Sequence, residues 1–323
     1  MLDTPPSGEP PIPSLSNLIQ PIDKAPPGSG PALFLAYARR GRPGGWRYPL
    51  VILLALVLFV LLGLGAGLAL MAAHVLTPQM LQSLQDPRQT GLYFGMVGLT
   101  FGLFLFGFWA ASRLLQGKRF GDLLGQWRWG FVGLGFGVWA VVLVVGALAD
   151  LALHPKGFTF TAGAQTPLYV LIVAPVLTLQ TFTEEFVFRG VITQGLVRAI
   201  KRPWIVCLVS GLVFGSAHIP NGALQAASAT AFGVILAFMA IRTGGLALGW
   251  GLHLANNLFG GIVVVSTGDV FNGAHGLFSQ NTPGLNGFDF AYGVAALVAG
   301  AWFLLGRATP RPEPAQAEAD YFS

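Results

Sequence analysis

The chain has 323 residues, of which 54% are hydrophobic and only 10% are charged. Because soluble domains carry about 25% charged residues, this composition excludes an ordinary soluble domain and indicates a polytopic membrane protein. The net charge of +5 does not indicate a nucleic-acid partner, because the basic residues cluster beside the apolar runs. A single cysteine, Cys207, excludes an intrachain disulfide and a cysteine-based metal site.

The chain begins with a polar segment and continues with eight apolar runs. Residues 1–46 are rich in Pro and Gly, and we predict that they form a disordered cytoplasmic tail. The apolar runs do not alternate with a period of two, so we expect transmembrane helices rather than barrel strands. The predicted spans cover about 49–75, 91–115, 130–153, 167 into the Glu184–Glu185 pair, 204–219, 223–241, 246–265 and 288–305.

These runs divide the chain into regions. The regions are the disordered tail (1–46), transmembrane helices one to three (47–166), a core of helices four to seven (167–266), a loop with the last helix (267–306) and a cytoplasmic tail (307–323). Basic residues fall in the N-terminal tail and after spans two, four, six and eight. Since cytoplasmic loops are enriched in Lys and Arg, we expect both termini to be cytoplasmic, in a bacterial inner membrane.

Two adjacent glutamates, Glu184 and Glu185, are the only acidic residues between Asp150 and Asp269. Carboxylates at membrane depth are costly and usually functional. Glu185 precedes Arg189 by one helical turn, so we predict that Arg189 holds Glu185 ionised and in place. Glu184 faces another direction and is free to act as a general base. The alternative, a structural ion pair near a helix end, fits Glu185 and Arg189 better than Glu184, which has no evident cation of its own.

Further polar groups lie in the next predicted spans. His218 ends the segment Phe214-Gly-Ser-Ala-His218, and His253 shares a helix face with Asn257, four residues later. A single histidine in an apolar helix is usually a packing residue. Strong polar groups on three separate spans make that interpretation much weaker.

Two kinds of chemistry fit these residue types. Glu184, His218 and His253 could bind a divalent metal such as Zn²⁺, with an open position for a reactive water. Alternatively, Glu184 and His218 activate water directly, and His253 with Asn257 stabilises the oxyanion. The sequence lacks a His-Glu-x-x-His pair, so hydrolysis is better supported than the metal. We expect these groups to meet in a water-filled cavity that opens toward the cytoplasm or the inner leaflet.

The pattern Glu184-Glu185-x-x-x-Arg189, Phe214-x-x-x-His218 and His253-x-x-x-Asn257 resembles the motifs of the CAAX protease and bacteriocin-processing family. This group includes the Abi proteins and type II CAAX prenyl endopeptidases, and the resemblance covers about residues 167–266. It implies an intramembrane endopeptidase acting on a peptide or protein, which in eukaryotic members is lipid-modified. It also implies that Glu184 is the base, assisted by His218. By the same resemblance, His253 and Asn257 would stabilise the oxyanion, and Glu185, Arg189 and Phe214 would have supporting roles.

The expected fold is all-α, with about eight transmembrane helices, a four-helix catalytic core and membrane lipids as neighbours. Two other functions are compatible with such a chain. A non-catalytic scaffold or bacteriocin-immunity-type protein would tolerate loss of the polar residues. A proton-coupled transporter would need a continuous polar path across the membrane, whereas the acidic residues here occupy one short segment.

Overall fold

The computed structural model describes residues 20–83, 86, 88–268, 270–283 and 287–307, without the side chains of 287–290. The predictions for residues 1–19 and for most of the tail at 307–323 lie outside this part of the chain. The helices are α1 (Gly30–Arg39), α2 (Arg47–Ala72), α3 (Pro78–Leu81), α4 (Thr90–Gln116), α5 (Phe120–Leu124), α6 (Trp129–Leu153), α7 (Thr166–Ala199), α8 (Pro203–Ser216), α9 (Ala223–Thr243), α10 (Ala247–Leu258) and α11 (Gly287–Arg307).

Apolar helices occupy all eight predicted spans. Five of them, α2, α4, α6, α7 and α9, are long and apolar enough to cross a bilayer. Helix α8 and the Ala291–Arg307 part of α11 are apolar but shorter, and α10 continues into a π-helical turn, Phe259–Val263. Since backbone groups in lipid must be satisfied within the segment, such apolar runs fold as helices. The predicted class, an all-α polytopic membrane protein, is confirmed.

One end of the bundle gathers the basic connections between helices. We call it the basic end; it comprises α1 and the connections at 117–128, 200–202 and 244–246. An ion pair of 3.2 Å joins Arg40 to Asp122. The amide of Ile22 donates to the carbonyl of Lys201 (2.8 Å), and that of Gln126 donates to the carbonyl of Gly244 (2.9 Å).

The opposite end, which we call the sheet end, comprises the connections at 73–89, 154–165, 217–222 and 264–283. It carries a small sheet of strands β1 (Phe158–Phe160), β2 (Val264–Ser266) and β3 (Phe278–Gln280). Strand β3 lies in the middle, antiparallel to β1 and parallel to β2. The sheet ties the end of α10 to the connection between α6 and α7.

The expectation of a disordered tail is wrong for residues 20–46. This segment forms a 3-10 turn, Ile22–Lys24, and α1, whose Phe34 and Ala38 are completely buried. They pack with residues of α8 and α9, including Cys207 and Ala237. The prediction of disorder rested on the Pro and Gly content of the whole tail. It overlooked the apolar run within α1, and this run gives the helix a face that can be buried.

Two glycines bring α6 and α10 into backbone contact. A Cβ atom on Gly135 would lie 2.3 Å from the carbonyl oxygen of Leu248, and one on Gly251 would lie 2.1 Å from that of Val132. Only glycine permits such an approach. The contact fixes α10, which carries His253 and Asn257, against α6.

Candidate active site

The two helices that carry the predicted catalytic groups both change their winding beside them. In α7, regular α-helix ends at Glu185 and the next eight residues, Phe186–Thr193, are π-helical. In α10, regular helix ends at Leu258 and Phe259–Val263 is again π-helical. Single π-helical turns are frequent at functional sites because they redirect side chains within an otherwise regular helix.

A buried ion pair anchors the first motif. Arg189 donates from one terminal nitrogen to Glu185 Oε1 at 2.8 Å, and both side chains are at most 1% exposed. The other terminal nitrogen donates to the carbonyl of Gly233 at 3.2 Å, and the guanidinium lies 4.6 Å from the ring centre of Phe214. Arg189 therefore links α7 to α8 and α9, as a charged group held entirely by protein partners.

His253 lies between the two glutamates. Its Nδ1 is 2.8 Å from Glu185 Oε1, and its Nε2 is 3.6 Å from Glu184 Oε2. Because the ionised carboxylate of Glu185 only accepts, Nδ1 carries a proton. The longer distance exceeds that of a direct hydrogen bond. A water beside this pair of atoms could contact both, and such water-mediated contacts are common in active sites.

A cavity of about 400 Å³ opens beside these atoms. Its lining includes all four residues predicted to be catalytic, which are Glu184, His218, His253 and Asn257, together with Phe214. The groups from α7, the end of α8 and α10 therefore face one shared space.

His218 lies inside the bundle, level with Glu184, because α8 is short. At 1.5 Å per residue, Glu184 and His218 each lie roughly 22 Å along their helices from the connection at 200–202. Helix α8 ends at Ser216, just before His218. The ring Nδ1 lies 2.9 Å from the carbonyl oxygen of Phe214. Since a carbonyl only accepts, Nδ1 donates, and Nε2 of the neutral ring presents a lone pair.

The cavity lies toward the sheet end, away from the basic connections that the sequence predicts to be cytoplasmic. This position disagrees with the predicted opening toward the cytoplasm or the inner leaflet. Its lining instead includes Asn221 from the α8–α9 connection, Gln225 from the first turn of α9, and Phe271 from the segment after β2. Helix α8 is short and ends inside the bundle, where the chain reverses direction. Residues of the sheet end therefore line the space beyond His218.

Comparisons with known proteins agree with the motifs. Residues 164–259 match the family model described as "Type II CAAX prenyl endopeptidase Rce1-like". This segment is therefore similar to that family. The resemblance stated from the three motifs is thereby confirmed, and the matched family is one of membrane proteases.

One relative of this chain is "Uncharacterized protein YyaK" of Bacillus subtilis (strain 168). The two are 26% identical over 250 residues, which is 72% of this chain and 83% of the relative. No solved structure matches the chain.

Two amides near the Rce1-like motifs were not singled out from the sequence. Gln180 donates to Glu184 Oε1 at 3.3 Å. Asn256 donates to Asn257 Oδ1 at 3.2 Å and accepts from Trp139 Nε1 at 3.2 Å. Helical spacing could have identified both, since Gln180 precedes Glu184 by one turn and Asn256 follows His253 by three residues.

The candidate metal ligands do not gather around one point in this arrangement. Among the described residues, no three His, Cys, Asp or Glu side chains are grouped so that they could hold a metal ion. Glu184 and His253 approach each other, but His218 does not join them as a third ligand. Zinc at Glu184, His218 and His253 stays a prediction, which metal analysis of the purified protein would test.

Proposed function

We propose that this chain is an intramembrane endopeptidase that hydrolyses a peptide bond of a membrane-associated protein or peptide. One observation carries the proposal: a carboxylate, two imidazoles and an amide from three segments (α7, the end of α8 and α10) line a single cavity inside an apolar bundle. Polar groups at membrane depth are costly unless they serve a function. A structural ion pair explains Glu185 and Arg189 alone, and it leaves Glu184, His218 and Asn257 without a reason.

Glu184 acts as the general base. Its Oε2 accepts a proton from a water in the cavity while the water oxygen attacks the carbonyl carbon of the peptide bond. Gln180 holds the other carboxylate oxygen, so Oε2 faces the water. His218 assists through its Nε2 lone pair, which orients the same water. When the carbon–nitrogen bond breaks, the protonated Glu184 returns its proton to the leaving amine.

Asn257 and His253 stabilise the oxyanion that forms in this step. Asn256 occupies Asn257 Oδ1, and the Nδ2 protons of Asn257 serve as donors to the developing negative charge. His253 is fixed by Glu185, and its Nε2, when protonated, donates to the same oxygen. Arg189 is a positioning residue, because it acts on the reaction only through Glu185 and the ring of His253.

The cavity wall favours an uncharged stretch of polypeptide. Side-chain amides such as Asn221 and Gln225 alternate with aromatic groups such as Phe232 and Phe271, and no Lys or Arg is among the lining residues that the structure describes. The amides can pair with a peptide backbone. A lipid-modified peptide also belongs to this substrate class, since its lipid chain would stay among the membrane lipids beside the bundle.

The test compares protein N-termini in membranes containing wild type, Glu184→Gln or His218→Ala at equal protein levels, by quantitative mass spectrometry. General base catalysis contributes about 10²- to 10⁴-fold, so cleaved termini produced by wild type should fall at least 100-fold in Glu184→Gln. His275→Ala, at an exposed histidine, is the matched control and should retain them. Unchanged termini in both site variants would show a scaffold or transporter instead.

A further inference from the structure

The two ends of the bundle differ strongly in charge. Within the described part of the chain, the sheet end carries only Arg88 and Lys156 as basic residues. Arg189 is buried within the bundle. The other described basic residues lie at or next to the basic end: Lys24, Arg39, Arg40, Arg42, Arg47, Arg113, Lys118, Arg119, Arg128, Arg198, Lys201, Arg202, Arg242 and Arg307.

This asymmetry orients the bundle in a membrane. Short loops rich in Lys and Arg stay on the cytoplasmic side during insertion. The contacts of Arg40 with Asp122 and of Ile22 with Lys201 show that these segments lie at the same end of the folded protein. The basic end is therefore the cytoplasmic end, and the sheet end faces away from the cytoplasm.

The catalytic cavity lies in the half of the bundle next to the sheet end. On α9, which starts at the sheet end, the lining residues Gln225, Ser228 and Phe232 all belong to the first half of the helix. On α10, which starts at the basic end, the lining begins only at His253. The exposed residues Asn221 and Val270 belong to sheet-end connections and line the same cavity.

Buried side chains fill the space on the other side of the site. Between Glu184 and the basic end, Arg189, Thr193 and Gln194 of α7 have no exposed surface, and neither does Ser210 of α8. Thr193 and Ser210 are joined by a hydrogen bond of 2.8 Å between their hydroxyl oxygens. A substrate or water therefore reaches Glu184 from the sheet end.

We infer that the cavity opens to the extracytoplasmic side of the membrane. Its substrates are then uncharged peptide segments that approach from that side, such as exported peptides or the extracytoplasmic parts of membrane proteins. The substrate class rests on the proposed peptidase function, whereas the orientation rests only on charge and geometry.

Cysteine labelling tests the orientation without relying on activity. The native Cys207 is buried, so Cys207→Ala gives a cysteine-free background. Asn221→Cys places a thiol at the exposed cavity mouth, and Ala199→Cys places one at an exposed position next to the basic end. A membrane-impermeant maleimide applied to intact cells should label Asn221→Cys, whereas Ala199→Cys should react only after lysis. Labelling of Ala199→Cys in intact cells, or of Asn221→Cys only after lysis, would overturn the inference.

Adding Glu184→Gln to each cysteine variant separates this inference from the proposed function. The labelling pattern should not change, because it does not depend on catalysis. For the active protein, maleimide treatment of intact cells should reduce new cleaved termini in Asn221→Cys at least 10-fold and leave them unchanged in Ala199→Cys. The termini should map to exported or extracytoplasmic segments, and a set confined to cytoplasmic segments would refute the substrate class.

Discussion

His253 and Glu185 form a direct contact, with Nδ1 of the ring 2.8 Å from Oε1 of the carboxylate, and Arg189 approaches the same oxygen at 2.8 Å. The buried oxygen Oε1 of Glu185 therefore contacts both the guanidinium of Arg189 and the imidazole of His253. The ion pair places the ring, and the ring in turn faces Glu184. Stability and activity are therefore coupled at this point.

The first prediction concerns this ion pair. Arg189→Met leaves Glu185 buried without its cation, which we expect to reduce the free energy of unfolding by about 3–5 kcal/mol. Adding Glu185→Gln removes the unpaired charge and should restore much of the stability but not the cleavage activity. Thermal unfolding in detergent micelles measures this, with Arg113→Met, at an exposed position, as control. A double variant no more stable than Arg189→Met would contradict it.

The second prediction concerns Lys118, in the connection between α4 and α5. Burial, which the nearby Asp122 partly offsets, lowers the pKa of Lys118 from 10.5 to about 7. Its ammonium nitrogen donates to the carbonyl of Tyr37 and to Gln194 Oε1. Between pH 7 and 10.5 the unfolded chain binds the proton more tightly. Stability should therefore rise with pH in this range, by up to about 1.4 kcal/mol per pH unit.

Chemical unfolding of the purified protein at pH 7, 8 and 9 would measure this rise. Lys118→Met should flatten it, because the variant has no proton to lose at this position. Lys24→Met, at an exposed lysine of the same end, should leave the rise in place. Parallel curves for wild type and Lys118→Met would show that Lys118 does not cause it.

The third prediction concerns the contact between α6 and α10. In Gly251→Ala the new methyl group would meet the backbone of Val132, which cannot move aside as a flexible side chain could. Overpacking of this kind costs about 1–3 kcal/mol, and displacement of α10 would also move His253. Gly137→Ala on α6 has nothing within 4 Å and should behave as wild type. Equal unfolding temperatures for the two variants would contradict the close contact.

The fourth prediction concerns Asn256, which connects Trp139 to Asn257. Asn256→Ala frees the side chain of Asn257 to rotate, so in the proposed mechanism the oxyanion loses a fixed donor. We expect kcat to fall about 10- to 100-fold with little change in KM, because the donor acts mainly in the transition state. Ser228→Ala, at another cavity-lining position, is the control. A change in KM alone would instead place Asn256 in substrate binding.

The sequence predicted the membrane helices and the groups that share the cavity, because hydropathy and helical spacing are local properties. It did not predict that α1 forms a buried helix. The burial of α1 depends on packing against α8 and α9, which are distant from it in the sequence. Nor did the sequence show that Gly135 and Gly251 make the backbone contact between α6 and α10, because the two helices meet only in the folded bundle. The side on which the cavity opens also depended on tertiary structure, since it follows from where α8 ends.

The length of α8 has a consequence for the surrounding lipid. Its 14 residues span only about 21 Å, whereas the hydrocarbon interior of a bilayer is about 30 Å thick. Acyl chains next to α8 must shorten or tilt to match it, and polar headgroups are thereby drawn toward His218. Acyl-chain length thus becomes a variable that controls hydration of the site, so thicker membranes should slow the proposed cleavage without any change in the sequence of the protein.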